Sequence, residues 1–267
     1  MSQSVDYTNF VWRLALTHVD GRAGKESVRA HMAAPFAEQA QSLTTIYEYL
    51  LSSLRNRQAM FNTIGQLDRL APILCQFDPH SVVTTYADDW RALLGEAQSR
   101  LQVSVNPDNA RSYWVHFAKG ALDGAKFLHR FPAADDFRAF VSDFYEKTTT
   151  RPALPLVLAQ EIHGFGFPLA CDFLKEIGFT QYAKPDVHVI SLFSELEFSS
   201  TSELDVYRAV CEFAETVGET PFAVDKVFWL IGSGNLYLED RKFRTSRAKF
   251  IENVKNEWDR HSTEGAA

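Results

Sequence analysis

Cysteine is almost absent from this chain, and the little there is cannot be organised. Cys75, Cys171 and Cys211 are an odd number set far apart in 267 residues, which excludes a disulfide framework and a zinc or iron–sulfur ligand cluster. Long apolar runs are missing too: none approaches about eighteen residues, so no membrane span is expected. The N-terminal MSQSVDYTNFVWRLALTHVDG has no basic lead-in and no small-residue cleavage site, and it does not read as a signal peptide. A reducing, cytoplasmic setting fits these absences. The net charge of −7 supplies no general pull toward nucleic acid. Strong period-two alternation is not found; VVTTY and LQVSV are short and ambiguous, which argues against a sheet.

What is present is helical in pattern. Apolar residues at 46% and charged residues at 23% suit a globular core, and the length suits one large domain or two lobes. In FAEQAQSLTTIYEYLLSSL the positions Ala40, Leu43, Ile46, Tyr47, Leu50 and Leu54 recur at steps of three and four. ARSYWVHFAKGALDGAKFLHRF repeats the pattern through Trp114, Phe117, Leu122 and Phe127, and DDFRAFVSDFYEK through Phe137, Phe140, Val141 and Phe144. TSELDVYRAVCEFAETVG opens on a cap at Thr201 or Ser202 and closes on Gly218. The expectation is an all-α protein of roughly ten or more helices, with most of its 21 phenylalanines in the core. Joints are read at 106–110 (NPDNA), 148–155 (TTTRPALP) and 218–221 (GETP). The first of them divides the chain into an N-terminal helical region, 1–105, and a helical core with a C-terminal helix, 106–267, as lobes that interdigitate. Charge is uneven: Lys226 to Arg260 holds eight Lys or Arg against five Asp or Glu. Within it, RKFRTSRAKF reads as the solvated face of a C-terminal helix or, with a second signal, as a phosphate-contacting face.

Glycine, at 13 residues, is scarce enough for a pair of them to be informative. RPALPLVLAQEI is apolar enough for a buried helix; HGFG breaks it, and FPLACDFLKEIG restarts a helix in which Pro168 is tolerated near the first turn. Gly164 and Gly166 thus make either a plain helical corner or a turn whose bare backbone can approach a phosphate, with N–H groups at the next helix start to receive it. In YAKPDVHVISLFSELEF, Asp186 stands just ahead of an apolar run. It reads as an N-cap or as a carboxylate facing a cleft, able to stabilise a developing cation or activate water. The two roles are compatible.

Together these residues resemble the helix-hairpin-helix DNA glycosylase superfamily, which includes endonuclease III-like, alkyladenine and 8-oxoguanine glycosylases. IHGFGFPLA is similar to that family's hairpin, with Ala170 in its small-residue place, and KPDVHV supplies Asp186 and His188 in the motif positions about twenty residues on. FAVDKVFWLIGSGN resembles a late helix of the family's core that carries an acid, an aromatic and a glycine. The likeness spans roughly residues 110 to 240 and is specific from 161 to 190. It implies two packed helical lobes with a helix-hairpin-helix motif and a cleft between them. It also implies DNA as partner, with His163, Gly164, Phe165 and Gly166 contacting the backbone, and Asp186 as the catalytic residue. Phe165, Phe167, Trp114 and Trp229 are candidate pocket or wedge aromatics, although side chains of this kind more often belong to the core. His188 is a positioning residue rather than a metal ligand, since no second ligand cluster accompanies it.

The departures shape the activity the resemblance implies. Family members that also cleave the strand carry a lysine two residues after the second hairpin glycine; here that residue is Pro168, and neither Lys175 nor Lys184 matches the position. The resemblance therefore implies a monofunctional enzyme that flips the target nucleotide from the stack, lets Asp186 assist loss of the base, and leaves water to finish the hydrolysis. It implies no required cofactor, no iron–sulfur cluster, a monovalent cation as an option at the hairpin, and a monomer with no protein partner. The alternative is a non-catalytic DNA-binding protein that keeps the hairpin grip alone.

Overall fold

A computed structural model describes residues 4–33, 41–58, 60–238, 241–244 and 246–264. The protein is all-α, with fourteen α-helices among the described residues; Ala40, the first of the recurring apolar positions read in FAEQAQSLTTIYEYLLSSL, lies outside them. Contacts divide the chain into two compact units: an inserted one, residues 35–179, and a terminal one joining residues 1–34 to 180–267. The joint read at 105/106 falls within the inserted unit, in the loop between two of its helices. Among the described residues no helix is long and apolar enough to cross a membrane.

The inserted unit holds α3 (Leu43–Arg55), α4 (Met60–Ile64), α5 (Pro79–Tyr86), α6 (Trp90–Leu101), α7 (Tyr113–His129), α8 (Ala134–Tyr145), α9 (Ala153–Glu161) and α10 (Phe167–Glu176). VVTTY is the last part of α5, and most of LQVSV follows the end of α6. Helix α7 is the spine, packed by α3, α4, α5 and α6. Its sequence explains the close approach of α3. A Cβ on Gly124 would lie 2.6 Å from Leu50 Cδ2, and one on Gly120 would lie 2.8 Å from Leu54 Cδ2. Two leucines one turn apart thus fill two gaps one turn apart, a ridge set in a groove. Each helical glycine costs about 1 kcal/mol in propensity, which the packing of fully buried Leu50 and Leu54 offsets. Gly95 on α6 has no such role: it is exposed, and nothing lies within 4 Å of where its Cβ would stand. Gly95→Ala is therefore expected to stabilise the protein by about 0.5–1 kcal/mol, seen as a raised Tm.

The terminal unit holds α1 (Val5–Ala23), α2 (Lys25–Met32), α11 (Val187–Glu195), α12 (Glu203–Val217), α13 (Pro221–Ser233) and α14 (Arg247–Glu264). Helix α13 runs through its middle, packed by α1, α2, α11, α12 and α14. Phe193, Phe213 and Phe228 meet at centroid distances of 5.2–5.7 Å, and Trp12 closes over Phe213 and Phe228. Helix starts follow the capping rule: Ser4, Asp186 and Thr220 each accept a backbone N–H from the first turn. Ser202 holds the cap position of α12 without a side-chain bond, and Gly218 takes the left-handed conformation expected after its end.

The basic run corrects one expectation. Arg241, Lys242 and Arg244 lie on a strand, not on the C-terminal helix: β1 (Asn235–Leu238) pairs antiparallel with β2 (Arg241–Arg244), Asn235 opposite Arg244 and Leu238 opposite Arg241. Four residues give too few alternations for period two to stand out from charge. Only Arg247 and Lys249 of the run belong to α14.

Candidate functional site

The terminal unit contains Asp186 and what surrounds it. Asp186 precedes α11 in extended conformation, and its half-buried carboxylate is bonded through both oxygens. Oδ1 accepts the backbone N–H groups of His188 (2.9 Å) and Val189 (3.2 Å), which is the capping bond. Oδ2 accepts the indole Nε1–H of Trp229 at 3.0 Å. A cap requires only the first oxygen; the second fixes the carboxylate plane as well.

Helix α13 supplies that second support at helical spacing. Asp225, Trp229 and Gly232 stand at i, i+4 and i+7, on one face, and each meets a different residue around Asp186. Asp225, fully buried, accepts the backbone N–H of Lys184 at 3.1 Å. Trp229 reaches Asp186, and its ring meets that of His188 edge-on at 6.0 Å. Gly232 lets the helices touch: a Cβ there would lie 2.9 Å from the His188 carbonyl oxygen and 3.0 Å from its Cβ. His188 and Trp229 thus position the carboxylate, and Asp225 and Gly232 join them. The sequence carried a signal for those two only as an acid, an aromatic and a glycine in FAVDKVFWLIGSGN; their i, i+4, i+7 spacing is what could have singled them out.

The glycine turn lies in the inserted unit. Helix α9 ends at Glu161, Gly164 turns the chain at φ +76°, and α10 starts at Phe167 with Pro168 in its first turn. Phe165 is buried and meets Phe173 edge-on at 6.1 Å, and its N–H donates to the Ile162 carbonyl at 3.1 Å. Phe167 is buried as well, and so is Trp114, edge-on to Phe117. These three aromatics therefore belong to the core of their unit rather than to the surface of a pocket. Gly166 differs. It is exposed, its φ is −67°, and a Cβ there would touch only Pro168 Cδ, at an ordinary 3.8 Å. Nothing inside the fold requires glycine at 166. Among the described residues, the N–H groups of Gly164 and Gly166 make no hydrogen bond.

His163 is held on three sides. Its backbone N–H donates to Asp123 Oδ2 at 3.0 Å, and its ring Nε2 lies 2.9 Å from His116 Nδ1, with the two rings stacked at 5.1 Å. Its carbonyl packs against Gly120, where a Cβ would sit 2.5 Å away. Burial, then the charges of Lys119 and Arg57, push the His163 pKa below the usual imidazole range, and Asp123 opposes this. His116 is pushed down by burial first, then by Arg57, His163 and Lys119, with a hydrogen bond to the backbone of Ala110 opposing. Arg57, His116, Lys119 and Asp123 carry no local motif that sequence reasoning could have used. Lys175 is buried between Asp172 (3.5 Å) and Glu176 (3.8 Å), where packing and ion pairing account for it. No group of three or more His, Cys, Asp or Glu that could hold a metal ion occurs among the described residues. Comparison with family models, with curated proteins and with solved structures gave no match.

Proposed function

We propose that the protein is a monofunctional DNA glycosylase, which hydrolyses the N-glycosidic bond of a flipped damaged or modified base with the help of Asp186. The observation that carries this reading is the second support of that carboxylate. Trp229 holds the oxygen that capping leaves free, and Asp225 and Gly232 lock the chain on either side of it. A side chain needed only as a cap has no use for a fixed second oxygen. The likeness of residues 161–190 to the helix-hairpin-helix glycosylases supports the same assignment.

In this reading the C1′–N bond breaks with its electron pair leaving on the base. The sugar becomes cationic at C1′, the Asp186 carboxylate stabilises that charge, and water adds at C1′ and loses a proton, which balances the charge of the departed base so that it ends as the neutral free base. Pro168 offers no amine to form a covalent intermediate with the sugar. No resident cofactor takes part. A monovalent cation at the turn would find the Ile162 and Gly166 carbonyls already accepting N–H groups, which leaves chiefly Gly164 and Phe165 to ligate it.

The assignment is tested by mass-spectrometric detection of free bases released from damaged and naturally modified DNAs, using wild type and Asp186→Asn. Release by wild type alone supports it and names the base. DNA binding with no release from a broad panel overturns the enzyme reading in favour of a binding protein.

The turn's part is tested separately. Gly166 has room for a Cβ, and the poorer cap that alanine makes for α10 is offset by the smaller freedom of the unfolded chain, so Gly166→Ala should change Tm little, yet it places a methyl where a backbone phosphate must come close. Affinity for any DNA sequence is expected to fall about tenfold, the worth of one charge-assisted hydrogen bond of roughly 1.4 kcal/mol. Unchanged affinity in a fluorescence-anisotropy titration at fixed salt would remove the turn from the interface.

A further inference from the structure

We propose that Arg57, His116, Lys119 and His163 form a phosphate seat beside the glycine turn, and that the imidazole pair takes up a proton when a phosphate binds. That the phosphate comes from the DNA backbone rests on the function proposed above; the seat itself rests on the following geometry.

The cluster is rich in donors and poor in acceptors. Arg57 comes from the segment after α3, His116 and Lys119 from one face of α7, and His163 from the turn after α9. The Nη1 of Arg57 is buried and has no hydrogen-bond partner among the described residues. It lies where Gly164 has no side chain: a Cβ there would be 2.7 Å from it. A buried guanidinium N–H without an acceptor calls for an explanation, and the neighbouring N–H groups of Gly164 and Gly166 are without partners too. The charged groups that act on the two imidazoles are Arg57 and Lys119, both cations, and one carboxylate, Asp123, whose Oδ2 is engaged by the backbone of His163. Lys119 also lies over the Trp90 ring, at 4.7 Å. The backbone of Ala110 takes one hydrogen bond from His116, and Asp123 is the one carboxylate acting on His163; against them stand a guanidinium, an ammonium and two glycine N–H groups, a donor excess that suits phosphate oxygens.

The imidazole pair makes the seat responsive to protons. With both rings neutral, the 2.9 Å contact between His116 Nδ1 and His163 Nε2 uses one ring as donor and the other as acceptor. Burial and the two nearby cations hold both rings in that neutral form. An added phosphate supplies negative charge and acceptors, so it favours the protonated pair. Affinity is therefore highest below the pKa of the empty seat and declines as pH rises through the higher pKa of the filled one. One linked proton gives a slope of at most roughly tenfold per pH unit.

The experiment is a pH titration of the His116 and His163 ring signals by NMR in the intact protein, alone, with inorganic phosphate, and with duplex DNA at constant salt. A raised imidazole pKa with both ligands is the expected result, together with DNA affinity that falls by up to tenfold per pH unit between the pKa of the empty seat and that of the filled one. His116→Gln should flatten that slope. A rise with inorganic phosphate but not with DNA keeps the seat and assigns it to free phosphate, against the DNA reading. DNA that binds with neither ring responding, and with a flat pH profile, overturns the seat and leaves the glycosylase reading untouched.

Discussion

Asp186→Asn should bind DNA as wild type does while base release falls by roughly 10²–10³-fold, the usual cost of removing one group that acts on transition-state charge. The substitution is close to neutral for the fold on one side of the residue and not on the other. An asparagine oxygen can still accept the N–H groups of His188 and Val189, so the cap of α11 survives. Its amide nitrogen would then face the indole N–H of Trp229, donor against donor, where a 3.0 Å hydrogen bond now stands. That mismatch is expected to cost about 1–2 kcal/mol, measurable as a lower urea midpoint. Trp229→Phe removes the offending donor, so Asp186→Asn with Trp229→Phe should regain part of the stability and none of the activity. The double variant thereby separates a lost catalytic charge from a damaged fold. Wild-type release rates in Asp186→Asn would end the assignment of this residue.

Local features were legible in the sequence, and pairings between distant segments were not. The 3.6-residue period of LTTIYEYLLSSL and of the stretch around Phe117 marks α3 and α7, because one face of each is buried against neighbours. The glycine pair and Asp186 could also be found, since a turn and a helix start are set by a few adjacent residues. The arrangement of units could not. The N-terminal helices α1 and α2 belong with residues 180–267, and no local signal records which apolar face meets which. For the same reason Trp229, 43 residues from Asp186, was only one candidate aromatic among several. Arg57 and His116 lie far from the turn in sequence and had no signal at all. Spacing alone could not separate half-buried Trp229 from buried Trp114; both recur at helical steps, and only packing tells a supporting residue from a core one.

Gly232→Ala is expected to destabilise the terminal unit, although in an exposed helix the same change would add about 1 kcal/mol. The new methyl would meet the His188 carbonyl oxygen at 2.9 Å, its Cβ at 3.0 Å and its carbonyl carbon at 3.1 Å. Two of these are backbone atoms of the first turn of α11, which cannot rotate away as a side-chain tip can. Helices α11 and α13 must separate by some tenths of an ångström, and overpacking of this kind costs about 1–3 kcal/mol. The separation falls beside the Asp186–Trp229 bond, since Asp186 is two residues from His188 and Trp229 three from Gly232. A carboxylate displaced toward 1 Å can lose about 10²-fold in rate. The expected result is therefore a lower Tm together with weakened base release, while DNA binding, assigned to the turn of the inserted unit, stays at wild type. Gly95→Ala is the control, because it adds the same methyl to a helix with nothing in reach and should move Tm the other way. If Gly232→Ala is instead as stable and as active as wild type, the close contact of α13 with His188 does not hold the carboxylate, and the support attributed to Trp229 would have to stand without it.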